Sequence, residues 1–476
     1  MMHHSPSTCR AATAGIVAAL CMASAAHADI VISSGATSNV SCTSGVCTPS
    51  APDAVLNVGD LETLLASGNV KLAAAGEPVD VDIDAPLSWV STNTLTLDSY
   101  HAINVQQPVA ITGGGGLALI TNDGGTGGEF AFLPGANVAF LNGAGSLAID
   151  GNAYTLVTDI ATLASDIAAN PGGAYALAGN YNAAPDGTYG NAPITPWFTG
   201  SFQGLGNVIS NLSIASSAKK ADLALFTTIG ADGSISNLVL QNISVTATGP
   251  YSGSGGLAID NEGAVFGVHV SGLVSATGSA GGLTGGNIGN ISHSSATGIV
   301  SATRLAGGLV GSNDIGASID QCFSTASIDL HKTPPGGSLV GGLVGESGAA
   351  SITNSYAAGP VSGGRKAFVG GFLGEAQDTT ISSSYASGAV KGGIGAAVGG
   401  FFGFVDPDGT RTHAYWDKTT SGSDEAAGHG GKIPGVKGLS DARLKSGLPT
   451  GFDPTIWAES PSINNGLPYL IANPPQ

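Results

Sequence analysis

Charge is scarce in this sequence. Charged residues fill 10% of the 476 positions, aromatics 6%, and there are five cysteines. A disordered chain would carry more charge and less than the 42% of apolar residues found here, so a folded protein is expected. No basic cluster is present to meet phosphate, which argues against nucleic acid as a partner. Beyond the first residues no run approaches about 18 unbroken apolar positions, so no transmembrane span is expected. The sequence also lacks a Gly-x-Ser-x-Gly elbow, a Cys-x-x-Cys pair and a phosphate loop with Gly-Lys-Ser/Thr. Basic residues are outnumbered, 15 against 33 acidic ones. That excess implies solubility and repulsion from anionic surfaces.

Glycine is abundant instead. Its 75 copies are about double the usual share and require a fold rich in turns. The first 28 residues read as a secretory signal. Arg10 gives the positive end, Ala11 to Ala25 the short apolar run, and Ala26-His27-Ala28 a cleavage site before Asp29. A secreted or outer-surface location is therefore expected. Export favours a small disulfide loop between Cys42 and Cys47. Cys322 reads as a small buried hydrophobe.

Repetition is the strongest signal. A Gly-Gly-apolar-x-Gly phrase begins at Gly281, Gly307, Gly341, Gly370 and Gly399, after a degenerate copy at Gly255; the spacings are 26, 26, 34, 29 and 29. The longest fits an insertion around Pro334-Pro335. A second phrase follows each full copy, as in Ile319-Asp-Gln-Cys-Phe323, Ile352-Thr-Asn-Ser-Tyr356 and Ile381-Ser-Ser-Ser-Tyr385. Ile299, Ile328, Val361 and Val390 close most units. One such unit cannot bury its own apolar face, so one unit per stacked coil is expected, with equivalent residues about 4.8 Å apart in ladders. Phe323, Tyr356, Tyr385 and Tyr415 form one ladder; Ser294, Cys322, Ser355 and Ser384 form another. Which of the two faces inward stays open, because a turn inside the phrase changes the parity. The fold class expected is all-β, a right-handed parallel β-helix with a few short capping helices.

Residues 29–155 read as a separate N-terminal β-rich segment, with strand alternation in Val79-Asp-Val-Asp-Ile83 and Leu95-Thr-Leu97. Asp60 is expected to cap a helix carrying Leu61, Leu64 and Leu65, ended by Gly68. A second helix is expected over 159–169, with Ile160, Leu163 and Ile167 on one face. The remaining divisions are 156–250 as the lead-in, 251–417 as the repeats and 418–476 as a C-terminal cap in which Ser440 starts a short helix ending at Gly447.

At Gly308-Leu-Val-Gly311 and Gly342-Leu-Val-Gly345 the chain resembles proteins with the GLUG motif. Phe198-Thr-Gly-Ser-Phe202, Gly204 to Leu212, Ile235 to Leu240, Tyr415-Trp-Asp417 and Gly466-Leu-Pro-Tyr-Leu470 fit the segments flanking such repeats. Residues 53–155 resemble filamentous-haemagglutinin-type adhesins, notably at Ser88-Trp89, Leu95-Thr-Leu97 and Ile149-Asp-Gly151. The resemblance implies a β-helical bacterial surface protein or secreted adhesin. The Asn-Pro-Asn-Gly phrase of two-partner secretion is missing. Some immunoglobulin A peptidases carry the motif, but they need His-Glu-x-x-His, which this chain lacks.

Glu346 and Glu375 follow the motif at the same phase in successive units. Stacking places them on neighbouring coils, near the spacing of paired carboxylates in retaining glycosidases. Asn313 is expected to hold the corresponding place one unit earlier. Solvated turn glutamates are the plainer reading. Asp406-Pro-Asp408-Gly409 is a fragment of a calcium loop, and calcium is the cofactor considered beside none at all. His269, His293, His331 and His413 are scattered, with His293 and His413 in phase but several coils apart. The reading reached is a secreted or surface-exposed adhesin-like protein whose rigid side meets glycans or a host or neighbouring cell surface through repeated contacts. Exposed aromatics would stack on sugar rings. The alternatives are a β-helical polysaccharide lyase or hydrolase using Glu346 and Glu375, and a structural component of the envelope or matrix.

Overall fold

The computed structural model describes residues 29–74, 80–330, 337–431 and 433–475. The signal-like segment, Val79, His331 and Pro334-Pro335 lie outside them. The chain is a parallel β-helix whose coils stack strand on strand. One long face pairs Ser234–Ser236 with Ala264–Phe266, and onward through Asn290–Ser292, Ser318–Asp320, Ser351–Thr353 and Thr380–Ala386. Two further faces flank the glycine phrase. Leu305–Gly307, Leu339–Gly341, Phe368–Gly370 and Ala397–Gly399 stack before it, and Val310–Asn313, Val344–Gly348, Leu373–Gln377 and Phe402–Val405 stack after it.

Two apolar cores run along the axis. The first extends from Ile30 to Ile149 and the second from Val157 to Ile433, without a break near 250. The segment 29–149 is thus itself a stack of parallel strands. Between the two stacks strand direction reverses, where Ser146–Ile149 pairs antiparallel with Asn152–Val157. The core changes side of the sheet at the same place. Tyr154, Leu156, Ala176 and Ala178 pack on the first core, while Val157, Tyr175 and Leu177 pack on the second. Reversing strand direction and core side together preserves the winding sense, so both stacks obey the right-handed crossover rule.

Helix α1 (Val58–Ser67) buries Leu61 and Leu65 on the first core. Its cap is Asn57 rather than Asp60: the Asn57 side chain accepts from the Gly59 and Asp60 N–H groups, and Asp60 sits in the first turn, where the helix dipole favours it. Helix α2 (Ile160–Ala169) is capped by Asp159 and buries Ile160, Leu163 and Ile167. In the C-terminal segment Lys418–Ser421 forms α3, and Ser440 caps α4 (Asp441–Leu444), a single turn that stops short of Gly447.

The glycine phrase has a steric reason. Its first glycine turns the chain so sharply that a Cβ on Gly341 would lie 1.8 Å from the Val344 carbonyl oxygen. Its last glycine rests on the backbone of the preceding face. A Cβ on Gly374 would lie 2.4 Å from Val340 N, and one on Gly403 would lie 2.4 Å from the Phe368 carbonyl carbon. The apolar residues between them, Leu283, Leu309, Leu343, Phe372 and Phe401, are fully buried.

Parity inside the second phrase is set by a residue in left-handed conformation. His293, Gln321, Asn354, Ser383 and His413 all have φ between 43° and 53°. That bend turns Ser294, Cys322, Ser355 and Ser384 inward, each fully buried, and the aromatic row outward. The outward rings are not exposed. Phe323, Tyr356 and Tyr385 stack face to face at 4.9 and 5.1 Å, and the C-terminal segment covers them with Phe452, Trp457, Leu467 and Leu470. The Tyr385 hydroxyl donates to the Pro468 carbonyl at 2.6 Å, and the Tyr415 hydroxyl to that of Thr450 at 2.8 Å. This ladder is therefore not among the exposed aromatics, because the chain's own tail occupies it. A second correction concerns the closing residue. Val300 pairs with Ile328 and faces the core, while Ile299 is 49% exposed.

Inside the second core Asn261, Asn287 and Asn313 form a buried ladder, each amide donating to the next at 2.7 and 2.8 Å. Such ladders satisfy polar groups along a stack and hold its register.

Gly374→Ala is expected to cost about 1–3 kcal/mol through overpacking. Gly348→Ala, where nothing lies within 4 Å of the added methyl, should be neutral or slightly stabilising. Thermal or urea unfolding of the two variants checks the difference.

Candidate binding groove at the glycine corner

The two faces flanking the glycine phrase meet at an angle and leave a groove of about 740 Å³ on the outside of the coil. One wall carries Asp222, Gly253, Ser279 and Leu305, which are register partners in successive coils. The other carries Asp260, Gly286 and Ser312, likewise in register. Gly285 and Asp314 also line it. Small residues keep its floor open because the corner glycines have no side chains to fill it.

Both expected glutamates continue the second wall's row in the next coils, beyond the groove's own lining. Ser312 pairs with Glu346, Glu346 with Glu375, and Glu375 with Phe404. The position one unit before Glu346 is thus Ser312 and not Asn313. Alternation along the strand turns Asn313 into the core ladder and Ser312 out to the groove. Glu346 and Glu375 are both half-buried. Burial, then the charges of Glu375 and Asp314, raise the Glu346 carboxyl above its ordinary pKa, with Arg304 opposing. Burial and then Asp222 and Glu262 raise Asp260 in the same way. Several carboxylates are held in place: Asp222 accepts from the Gly253 N–H at 2.9 Å, Ser312 donates to Asp314 at 2.9 Å, and Gln377 donates to Glu375.

The row ends in rings. Phe404 meets Phe368 of the opposite wall edge to face at 5.5 Å and stacks on His429 at 5.5 Å. Near the other end Tyr251 is 75% exposed, with the Lys219 ammonium 6.0 Å from its ring centre. Carboxylates flanked by aromatic faces can hydrogen-bond hydroxyl or amino groups and pack against the apolar face of a sugar. Sequence reasoning found the two glutamates but not the aspartates or rings. Their partners in register differ in chemistry, so no repeated phrase marks them.

The remaining candidates lie elsewhere. Cys42 and Cys47 are disulfide-bonded across a short antiparallel pair, with Cα atoms 4.0 Å apart. Cys322 is buried, and burial pushes its thiol pKa well up. Asp406 is engaged by Arg411 at 3.5 Å and by the Asp378 N–H at 3.2 Å, while Asp408 is exposed. Among the described residues no group of three His, Cys, Asp or Glu is placed to hold a metal ion. No described helix is long and apolar enough to cross a membrane.

Histidine spacing was also less scattered than the sequence implied. His269 and His293 line one recess with Phe132, Phe266 and Ala472, where the tail ends against the first stack. The His269 ring bonds Ser295 at 2.9 Å, and His293 packs on Phe266 at 4.9 Å. Burial, then the neighbouring His293, hold His269 down to about pKa 4; burial lowers His293 too, against the pull of Asp320.

The GLUG motif matches residues 336–362. Halomucin from Haloquadratum walsbyi is 42% identical over 83 residues, which are 17% of this chain and 1% of Halomucin. The chain thus spans a very small part of that relative. A provisionally assigned immunoglobulin A1 protease from Bacteroides ovatus is similar in structure at a TM-score of 0.44 and 20% identity, over 67% of this chain and 93% of the other. An IgA1 protease gives a TM-score of 0.34 and 20% identity, over 58% of this chain and 20% of its own.

The lowered histidines fix the sign of one pH effect. His269 is neutral in the folded state and charges more readily when unfolded, so its contribution is complete above about pH 6.5 and is lost as pH falls toward 4. Stability should drop over that window by up to about 1.4 kcal/mol per pH unit from this group. His269→Gln should flatten the dependence in urea unfolding measured from pH 7 to pH 4.

Proposed function

We propose that this protein is a secreted or surface-exposed, adhesin-like protein that holds an extended glycan in the groove at the glycine corner. The observation that carries the reading is the groove itself. Its walls are rows of register partners, so outward positions recur about every 4.8 Å along the axis, and a polymer lying there meets one such position in every coil. Weak contacts repeated along one rigid body add through effective concentration. The signal-like N-terminus, the GLUG match and the short Halomucin likeness support a protein that acts outside the cell. The first stack, with its adhesin-like phrases, serves in this reading as a rigid extension that carries the groove away from the surface.

A polysaccharide hydrolase or lyase is the second reading, and one observation favours it. Glu346 and Glu375 are adjacent in register, and burial with the charge of Glu375 raises the Glu346 pKa, which is the direction a general acid beside a second carboxyl needs.

A glycan array probed with the mature chain, followed by a reducing-end and unsaturated-end assay on each polysaccharide bound, separates the two. Binding to extended glycans without turnover is expected. Turnover abolished by Glu375→Gln would replace the adhesin with an enzyme, and no binding to any glycan or cell surface would contradict both.

A further inference from the structure

We infer that the extended glycan is an anionic polysaccharide, held by a basic ridge along the corner of the coil that precedes the glycine phrase. This deepens the glycan-binding reading and rests on it. Stacking makes the ridge. Each coil turns between its long face and the strand leading into the glycine phrase, and seven such strands stack. The turns lie on one another. The Gly278 N–H donates to the Ser252 carbonyl at 2.9 Å, that of Arg304 to Gly278 at 3.0 Å, and that of Lys366 to Ile394 at 3.2 Å. Lys219, Lys220, Arg304, Arg365 and Lys366 stand in these turns, and Lys391 ends the strand entering the last. All six are exposed, and they are every described Lys or Arg between residues 72 and 410. Six coil steps of about 4.8 Å make an edge about 29 Å long.

Charge is sorted by corner. The described turns of the ridge hold no Asp or Glu. The turns beyond the glycine phrase carry Asp232, Glu262, Asp314, Asp378, Asp406 and Asp408, and no Lys or Arg. A chain with 33 acidic residues thus presents one edge of the opposite sign. None of the six ridge cations pairs with a described carboxylate, whereas Lys71, Arg411, Lys418 and Lys445 each meet one. Unpaired cations on a straight, rigid edge attract a linear polyanion. Duplex nucleic acid, with a charge about every 1.7 Å, suits this edge poorly. The second and third turns carry no cation, and Asp222 and Asp329 stand on the strands beside the ridge. A single strand needs open rings for stacking, and the ridge has only Tyr251, with the Lys219 ammonium 6.0 Å from its centre. A polysaccharide carries its charge sugar by sugar and brings hydroxyls as well. Arg304 and Tyr251 belong to both ridge and groove, so acid groups meet the ridge while hydroxyls reach the groove carboxylates.

Isothermal titration of the mature protein tests this with three probes at one ionic strength: a galacturonic acid hexamer, an N-acetylglucosamine hexamer and a short DNA duplex. The uronate is expected to bind about tenfold or more tightly than either of the others, with affinity falling as salt rises. Arg365→Gln combined with Lys366→Gln should weaken the uronate about tenfold. Lys437→Gln combined with Arg443→Gln removes the same charge from exposed positions away from the ridge and should leave affinity within about twofold. Thermal unfolding should be unchanged in both variants, since all four side chains are exposed.

Equal loss in both double variants, or no loss in the first, would overturn the ridge as the site. Equal affinity for the neutral hexamer would overturn the charge selection while leaving a glycan-binding protein. A duplex bound as tightly as the uronate would replace the polysaccharide with nucleic acid and overturn the inference. Failure of the uronate, with neutral glycans bound on the array, would also overturn it. Failure on the array as well would remove the reading beneath it.

Discussion

Everything in the repeat region depends on how closely two backbones approach at the glycine corner. In the later coils the last glycine of the phrase, Gly374 or Gly403, sits directly on the strand of the preceding face, with no room for a methyl group. That contact folds two faces of the coil against each other. It sends the intervening Leu or Phe into the core and leaves a channel on the outside whose floor has no side chains. One residue choice therefore accounts for the tight coil, the buried apolar row and the open groove. The cost is the entropy of ordering many glycines, and it is offset by burial along a core that adds a layer with every coil.

The stack then determines what each surface can do. Position along a strand decides between core and groove, and position along the axis decides the neighbour. Ser312, Glu346, Glu375 and Phe404 stand in one row because they share a phase, although 92 residues of chain separate the first from the last. The tail uses the same logic in reverse. It runs back along the aromatic row and closes it with Trp457 and Phe452, so this ladder stabilises the fold. The exterior of the repeats thus has one covered ladder and one open channel.

Much of this was legible in the residues, and what was not has identifiable causes. Period and register follow from the repeated phrase, so the adjacency of Glu346 and Glu375 and the in-phase ladders could be read directly. Parity could not, because it turns on one left-handed residue that His293, Gln321, Asn354, Ser383 and His413 adopt with no shared side chain. The partner of Glu346 was legible too, since Ser312 follows Gly311 as Glu346 follows Gly345, whereas the left-handed Gly298 hid that Val300 and not Ile299 faces the core. The strand reversal at residues 149–152 was hidden for another reason. Asp150 and Gly151 read as an ordinary turn, and only the tertiary fold shows the core changing sides there. The tail's role depends on contacts such as Asn473 with Ser294 and Gln321, across more than 150 residues, for which no local pattern exists.

The central claim is that the groove wall is a single row of outward positions stacked coil on coil. Nitroxide labels attached at Glu346→Cys and Glu375→Cys test it most directly, since Cys322 is buried and Cys42 and Cys47 are bonded to each other. Continuous-wave spin resonance of the doubly labelled protein should show strong dipolar broadening, as for labels on strands about 5 Å apart. A spectrum no broader than the sum of the two singly labelled proteins would place these residues apart and contradict the account.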